Sequence, residues 1–280
     1  ILDSGRGLLA AAMAALLTAV FASLFPDDVS SVTPEQRRSA LAAVVLLYSA
    51  LTVGSAVLVW FYIPDQAGAP TGRRTTPLRD VMEVVRRPTI WYQATIIVSA
   101  YIAFKAYDNY SIVANRAYAM DEVQVASFMA LTQWIRPAAA LLAGLLGDRL
   151  GCSRVVGLCF ALLLITDLYY VVAVPSPDSR WILYVNASVT CIAMFGLRGL
   201  YFALFEEAAL PMEITGPAVG LVSILGYAPD IFAAPLTAYL LDLGIRPFFA
   251  FLVISTAIGM VAAMLFRHAC RRGQVAPQRI

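Results

Sequence analysis

The residues best suited to chemistry are charged side chains that interrupt long apolar stretches. They are Lys105, Arg136, Arg198, Asp167 and Asp230. A charge deep in a bilayer costs free energy, so such residues usually pair with one another or face a polar pathway. A guanidinium can also hold a carboxylate or phosphonate through two parallel hydrogen bonds. The pattern therefore indicates recognition of a small anionic organic solute.

Arg198 lies between Gly196 and Gly199, in the inner half of its apolar run. Two interpretations stay open: it faces a cavity and binds solute, or it pairs with an acidic neighbour in a structural role. Tyr201, three residues further on, offers a polar or aromatic lining, although tyrosines near span ends more often lie in the interfacial belt. Both residues are candidates for solute binding.

Arg136 and Lys105 are the other two candidates for solute binding, and each has a competing structural interpretation. Arg136 can be neutralised by Asp167, which belongs to the next apolar run. Lys105 can pair with Asp108 three residues away on one helical face, or extend toward the membrane surface.

Asp230 is the leading candidate for a proton-coupling group. It follows Gly226 and Pro229 in a run that also contains Pro235, and such residues free backbone carbonyls where membrane helices bend or line a cavity. We expect its carboxylate to be desolvated, which favours the protonated form. Glu206 is the second candidate, because eight residues after Arg198 it would lie on much the same helical face.

The stretch GLLGDRLGCSR places polar residues and glycines between two apolar runs. It contains Gly144, Gly147, Asp148, Arg149 and Arg154. The two glycines permit close approach of neighbouring helices. The aspartate can cap the following helix or pair with an arginine, which would close one mouth of a pathway. The alternative is a solvated turn at the membrane boundary.

The composition indicates an all-α integral membrane protein. Of the 280 residues, 60% are hydrophobic and only 14% are charged, against about 25% in soluble domains. A spanning helix needs about 20 mainly apolar residues. The sequence predicts eight spans: Leu8–Phe25, Ala40–Ile63, Thr89–Ile112, Val123–Leu146, Val155–Val174, Trp181–Phe205, Ala218–Leu241 and Pro247–Phe266.

Several function classes are disfavoured. The four cysteines lack CxxC spacing and the single histidine, His268, follows the last apolar run. This set makes a metal site or a cysteine–histidine nucleophile hard to build. We therefore expect no catalytic residues, no cofactor and no enzyme activity. No basic face interleaves with aromatic residues, which argues against binding nucleic acid.

Arginine placement predicts the orientation. With eight spans both ends share one side, and that side has the larger share of loop arginines, which marks it as cytoplasmic. The predicted cytoplasmic side holds Arg6, Arg73, Arg74, Arg79, Arg86, Arg87, Arg149, Arg154, Arg267, Arg271, Arg272 and Arg279, and the other side holds Arg37, Arg38, Arg116, Arg180 and Arg246.

One connection is longer and more polar than the others. The segment 64–88 holds proline, glycine, threonine and five arginines. It divides residues 1–63, with two spans, from residues 89–267, with six, and residues 268–280 form a cytoplasmic tail. Within this linker, Leu78–Val85 has apolar residues at the spacing of an amphipathic surface helix.

Six spans after a basic linker, with a GxxxDRxG segment between the second and third, resemble the major facilitator superfamily. That family repeats G-x-L-x-D-R-x-G-R-[KR] in each half, and Gly144, Leu146, Asp148, Arg149 and Gly151 match it. At the two positions after the last glycine of the motif, basic residues are common in the family, whereas this chain has Cys152 and Ser153. Arg154 is therefore displaced from the basic positions of the motif. Two further segments, LRGLYFALFEEAALP and GLVSILGYAPDIFAAPLTAYLLD, look like the family's tenth and eleventh helices.

The resemblance implies a major-facilitator-type bundle in which this chain supplies helices five to twelve of twelve. It implies a secondary active transporter in the cell membrane, with the lipid bilayer, a small solute, a proton or other coupling ion and four further N-terminal helices as partners. It also implies that Gly144, Asp148, Arg149 and Arg154 take part in gating. We expect symport of an organic anion with protons. The alternatives are a neutral solute, such as a sugar or nucleoside, and a receptor of transporter-like fold that moves nothing.

Overall fold

A computed structural model describes residues 34–62, 77–173 and 175–275. Every regular element within these ranges is helical, which confirms the all-α prediction for this part of the chain. The first helix, α1 (Pro34–Tyr62), and the helices that follow residue 76 form two separate units. Each unit is described here by itself.

The second unit is a bundle of long helices joined by very short connections. Its helices are α2 (Pro77–Val85), α3 (Pro88–Tyr107), α4 (Tyr110–Tyr118), α5 (Glu122–Gln133), α6 (Ile135–Leu150), α7 (Cys152–Val172), α8 (Arg180–Leu200), α9 (Leu204–Glu207), α10 (Met212–Gly226), α11 (Pro229–Leu243) and α12 (Ile245–Val275), with one 3-10 turn at Pro177–Ser179.

Six stretches of the described chain are long and apolar enough to cross a membrane. They are Val45–Tyr62, Gln124–Leu150, Cys152–Val172, Pro177–Leu200, Ile214–Leu243 and Ile245–Arg272. Each corresponds to a span predicted from the sequence. The predicted span Leu8–Phe25 lies outside the described residues.

The predicted span Thr89–Ile112 differs from the other predictions. Its residues form α3 and α4, and neither is among the six stretches. The reason is polarity, because α3 carries Gln93, Ser99 and Lys105 in its middle and second half. Gln93 and Ser99 are buried, since α3 packs against α8, α10, α11 and α12. Helix α3 is thus the polar centre of the bundle.

Several predicted spans are interrupted. The span Ala218–Leu241 is divided at Tyr227 and Ala228 into α10 and α11, and Val123–Leu146 is divided at Trp134 into α5 and α6. Glycine and proline explain the first break, because Gly226 ends α10 and Pro229 starts α11. The last helix, by contrast, runs on to Val275, so most of the predicted tail 268–280 continues α12.

The packing of α12 against α3 and α7 depends on the small residue Gly259. A Cβ atom added there would lie 2.6 Å from Phe160 Cζ and 2.8 Å from Ser99 Cβ. These distances are shorter than van der Waals contact, and Phe160 is fully buried. A glycine therefore sets how closely the three helices approach.

We expect Gly259→Ala to lower the free energy of unfolding by about 1–3 kcal/mol, the usual cost of overpacking. Gly144→Ala is the matched control, because a Cβ there would meet nothing within 4 Å and alanine favours a helix. Thermal unfolding of the purified variants measures both. A Gly259→Ala protein as stable as the control would show that α7 and α12 do not pack this closely.

Candidate functional site

Lys105, Asp230 and Tyr101 form a charged cluster between α3 and α11. The Lys105 ammonium lies 2.7 Å from one carboxylate oxygen of Asp230. The Tyr101 hydroxyl donates a 2.8 Å hydrogen bond to the other oxygen. Lys105 and Tyr101 are four residues apart on one face of α3, so a single helical turn holds both oxygens of the carboxylate.

Arg198 lies beside this cluster, at the end of α8. Its guanidinium carbon is 4.0 Å from the centre of the Phe104 ring and 5.7 Å from that of Tyr101. The Nε and one terminal nitrogen are buried and have no hydrogen-bond partner among the residues that the structure describes. An aromatic face attracts the charge of a cation but does not replace the in-plane acceptors that guanidinium N–H groups require. Two donor nitrogens are therefore available to an acceptor that lies outside the described residues.

Arg136 extends the same row of cations and aromatic rings. Its guanidinium carbon lies 5.3 Å from the centre of the Phe195 ring, and Phe195 is 6.5 Å from Phe104, centre to centre. The side chains of Lys105, Arg136 and Arg198 thus lie along one aromatic strip. An ion pair within this strip joins Lys105 to Asp230, and these two charges offset each other.

Helix interruptions position these side chains. Lys105 precedes the break between α3 and α4, and Arg198 precedes the break between α8 and α9. Arg136 and Asp230 each lie in the first turn after a break, in α6 and α11. At the start of α11 the free N–H groups and the helix dipole favour a carboxylate. Irregular backbone within apolar spans is tolerated where it lines a cavity or is buried in protein.

The structure contradicts one pairing considered from the sequence. Lys105 pairs with Asp230 on α11, not with Asp108 on its own helix. Asp167 is buried and accepts a hydrogen bond from the Thr256 hydroxyl. In both cases the partner comes from a helix far along the chain.

Asp230 itself differs from the expectation of a desolvated acid. Its side chain is 47% exposed in the described bundle. Its carboxylate is compensated by the Lys105 ammonium and the Tyr101 hydroxyl, so the prediction of strong desolvation was wrong.

Tyr201 and Glu206 do not lie where the sequence predicted. Tyr201 is only 2% exposed; its carbonyl accepts a hydrogen bond from the Gln93 amide, and its ring packs on Phe202. Glu206 is exposed on the short helix α9. Because α8 ends at Leu200, Glu206 does not continue the helical face of Arg198. Glu206 therefore lies outside the cluster.

The GLLGDRLGCSR stretch is mostly helical. Residues 144–150 complete α6, and only Gly151, with φ of 91°, separates α6 from α7. A Cβ at Gly147 would lie 2.8 Å from Leu200 Cδ2, which confirms a close helix contact, whereas Gly144 has no neighbour to meet. Asp148, Arg149 and Arg154 are exposed.

The helix α7 is capped by Glu207, not by Asp148 as one sequence interpretation had it. One carboxylate oxygen of Glu207 accepts a 2.7 Å hydrogen bond from the Ser153 backbone N–H, and the other accepts a 2.6 Å bond from the Ser153 hydroxyl. Gly151, at the N-cap position, has no side chain to supply. A carboxylate from elsewhere in the chain therefore accepts a hydrogen bond from a free backbone N–H group in the first turn of α7.

Replacing Glu207 with alanine is expected to cost about 2 kcal/mol of folding free energy, because a charged cap and two hydrogen bonds are lost. Glu206→Ala is the matched control: the adjacent carboxylate is exposed, and we expect a change of about 0.5 kcal/mol or less. Denaturant unfolding compares the two. Equal stability of both variants would exclude Glu207 as the cap.

Sequence reasoning assigned no role to Phe104 or Phe195, which hold the guanidinium groups. A signal was present: Phe195 precedes Arg198 by three residues and Phe104 adjoins Lys105. Aromatic residues at such spacing are common in apolar helices, so the pattern alone does not separate a cation platform from ordinary core.

Two curated proteins of Escherichia coli K12 are similar to this chain. The inner membrane protein YqcE is 27% identical over 251 residues, covering 85% of this chain and 56% of YqcE. The inner membrane protein YihN is 22% identical over 208 residues, covering 71% of this chain and 49% of YihN. The chain thus spans about half the length of these relatives. No family model matches it.

These similarities agree with the helices of the structure. Both relatives are inner membrane proteins, and six stretches of the described chain have the length and apolar character of spans. The chain is therefore a membrane protein that contacts the lipid bilayer, and every regular element in its described part is helical.

Proposed function

We propose that the chain is part of a secondary active transporter that moves a small organic anion, coupled to protons, by alternating access. The observation that carries this proposal is Arg198, whose buried Nε and one terminal nitrogen have no hydrogen-bond partner among the described residues. They lie beside the Lys105–Asp230 pair, whose two charges offset each other, so the Arg198 charge has no ion-pair partner within the described part of the chain. A bound anion would supply both the missing acceptors and the missing charge.

Interrupted helices support a transport function in particular. Many transporters bind their solutes where membrane helices are discontinuous, near the bilayer midplane. Here α10 and α11 break next to Asp230, and α5 and α6 break next to Arg136. A purely structural bundle has no need to interrupt four helices beside four charges.

The geometry suggests how an anion would be held. The Arg198 guanidinium is fixed over Phe104, so its planar fork presents parallel N–H donors to a carboxylate or phosphonate. Lys105 can supply a second charge only by loosening its contact with Asp230. Solute binding and the Lys105–Asp230 pair therefore compete for the same ammonium group.

This competition gives Asp230 a role in proton coupling. Protonation of its carboxyl group would weaken the 2.7 Å contact with Lys105 and release the ammonium to the solute. The proton would then offset the charge of a monovalent anion during the crossing. We assign Asp230 as the coupling residue and Lys105 as the link to the solute.

The whole protein would be of major facilitator type, located in the cell membrane. In this proposal α1 belongs to the N-terminal half, residues 77–275 contribute the C-terminal half, and both ends of the chain lie in the cytoplasm. The close contact between Gly147 and Leu200 would join α6 to α8 on the cytoplasmic side, and the exposed Asp148, Arg149 and Arg154 would take part in gating.

Labelling of single cysteines introduced at Asp178 and Arg73 tests the orientation. We expect a membrane-impermeant thiol reagent to modify position 178 from outside and position 73 from the cytoplasm. Three native cysteines are buried and Cys152 is partly exposed, so the unsubstituted protein is the background control. Modification of both positions from one side would contradict the topology.

Uptake by membrane vesicles that contain the full-length protein tests the function. We expect organic anions to compete with one another for uptake and a proton gradient to drive accumulation. A specific observation favours a rival, because Lys105 and Asp230 already neutralise each other as a neutral-solute carrier would require. Uptake of sugars or nucleosides without competition by anions would establish that rival. Binding without any flux would indicate a receptor.

A further inference from the structure

A polar cavity lies at the end of the bundle where α6 meets α7, away from the charged cluster. Its volume is about 320 Å³. Four arginines line it, together with the cap residue Glu207 and backbone of the α6–α7 connection: Arg149, Arg154, Arg267 and Arg271. We call this cavity the arginine pocket.

The charges of the arginine pocket are not balanced. Glu207 is its one carboxylate, and both of its oxygens accept hydrogen bonds from Ser153. Within the described part of the chain none of the four arginines forms an ion pair. Four positive charges against one negative charge leave an excess of three. Like charges held this close repel one another, so an anion in the pocket would lower the electrostatic energy.

The position of the pocket restricts the kind of anion. Arg149 and Leu150 close the membrane-length stretch Gln124–Leu150, and Arg267 and Arg271 lie in the last turns of Ile245–Arg272. Arg267 and Arg271 are four residues apart and so share one face of α12. The ends of spanning helices lie at the depth of lipid headgroups, where basic pockets between helices bind phosphate-bearing lipids.

We propose that the arginine pocket binds a phosphate group, carried either by the headgroup of an anionic lipid or by a soluble phosphate ester. Guanidinium forks match phosphate oxygens in pairs, and a phosphate offers enough acceptors for several arginines at once. This site is independent of the proposed solute site, since no residue lines both.

Binding to the purified full-length protein in detergent tests the proposal. Phosphatidylglycerol, phosphatidylcholine and glycerol phosphate are added separately, and the thermal unfolding midpoint is followed, since a ligand of the native state raises it with concentration. We expect phosphatidylglycerol to raise the midpoint. Phosphatidylcholine should not, because its quaternary ammonium is repelled by the arginines. If glycerol phosphate also raises the unfolding midpoint, the natural ligand is a soluble phosphate ester. If only phosphatidylglycerol raises it, the ligand is the lipid.

Neighbouring arginines provide matched variants. Arg271→Gln is expected to weaken phosphatidylglycerol binding about fivefold, the effect of one basic residue near a charged lipid surface. Arg272→Gln removes the same charge one residue further on, outside the pocket, and should leave binding unchanged. Arg271 is exposed, so its replacement preserves the fold. Arg267→Lys is the second variant, because it keeps the positive charge but loses the planar guanidinium fork. Equal loss in Arg271→Gln and Arg272→Gln, or no protection by any of the three compounds, would overturn the proposal.

Discussion

Replacement of Arg198 by lysine is expected to weaken binding of the transported anion roughly tenfold to hundredfold, although the charge is kept. The guanidinium has two buried nitrogens without a partner among the described residues, and the single ammonium of a lysine cannot place donors at both positions. Loss of a charge-assisted hydrogen bond costs about 1.5–3 kcal/mol. Competition by organic anions against labelled solute, in vesicles with the full-length protein, measures the change.

Arg116→Lys is the control for this substitution. Arg116 donates to the backbone carbonyl of Leu241 and approaches the Asp242 carboxylate, and it lies outside the charged cluster. We expect it to leave anion affinity unchanged. If Arg198→Lys and Arg116→Lys retain the same affinity, the Arg198 guanidinium does not contact the solute and the anion proposal loses its main support.

The second large effect is expected for Asp230→Asn, which should abolish accumulation driven by a proton gradient while exchange of solute across the membrane continues. Asparagine keeps the size of the side chain and can still accept the hydrogen bond from Tyr101, but it cannot carry a proton. Coupling would be lost because the Lys105 ammonium no longer has a partner whose charge changes. Gradient-driven uptake and counterflow, measured on the same vesicles, separate the two activities.

Asp242→Asn is the matched control, since Asp242 lies on the same helix and also faces an arginine, Arg116, at 3.4 Å. Its replacement should alter neither activity. Continued proton-driven accumulation in Asp230→Asn would exclude Asp230 as the coupling group. Loss of exchange together with accumulation would make it a binding or structural residue instead.

Much of the fold could be predicted from the sequence because the bilayer imposes a simple local rule. Apolar runs of about 20 residues form helices, since backbone polar groups have no other partner there. The break at Gly226 and Pro229 was also foreseeable, because both residues disturb helices locally. The break at Trp134 has a local cause as well, because Pro137 lacks the N–H that would bond to the Gln133 carbonyl and its ring crowds that carbonyl.

The candidate site was predictable only as a set of residues. Lys105, Arg136, Arg198 and Asp230 stand out in the sequence because charges are rare in apolar runs. Their pairing could not be read in the same way. A partner three or four residues away on the same helix can be identified from the sequence, and for this reason the sequence favoured a Lys105–Asp108 pair. Tyr101, which binds Asp230, is 129 residues distant from it.

The sequence by itself determined that this protein is helical, that it belongs in a membrane and which side chains interrupt its apolar spans. The tertiary structure decided which of them meet: Asp230 with Lys105, Arg198 with Phe104, and Glu207 with Ser153 across 54 residues. The reason is physical. Burial of apolar residues and formation of helices depend on local composition, whereas hydrogen bonds and ion pairs act over a few ångströms. Their partners are therefore fixed only when distant helices pack together.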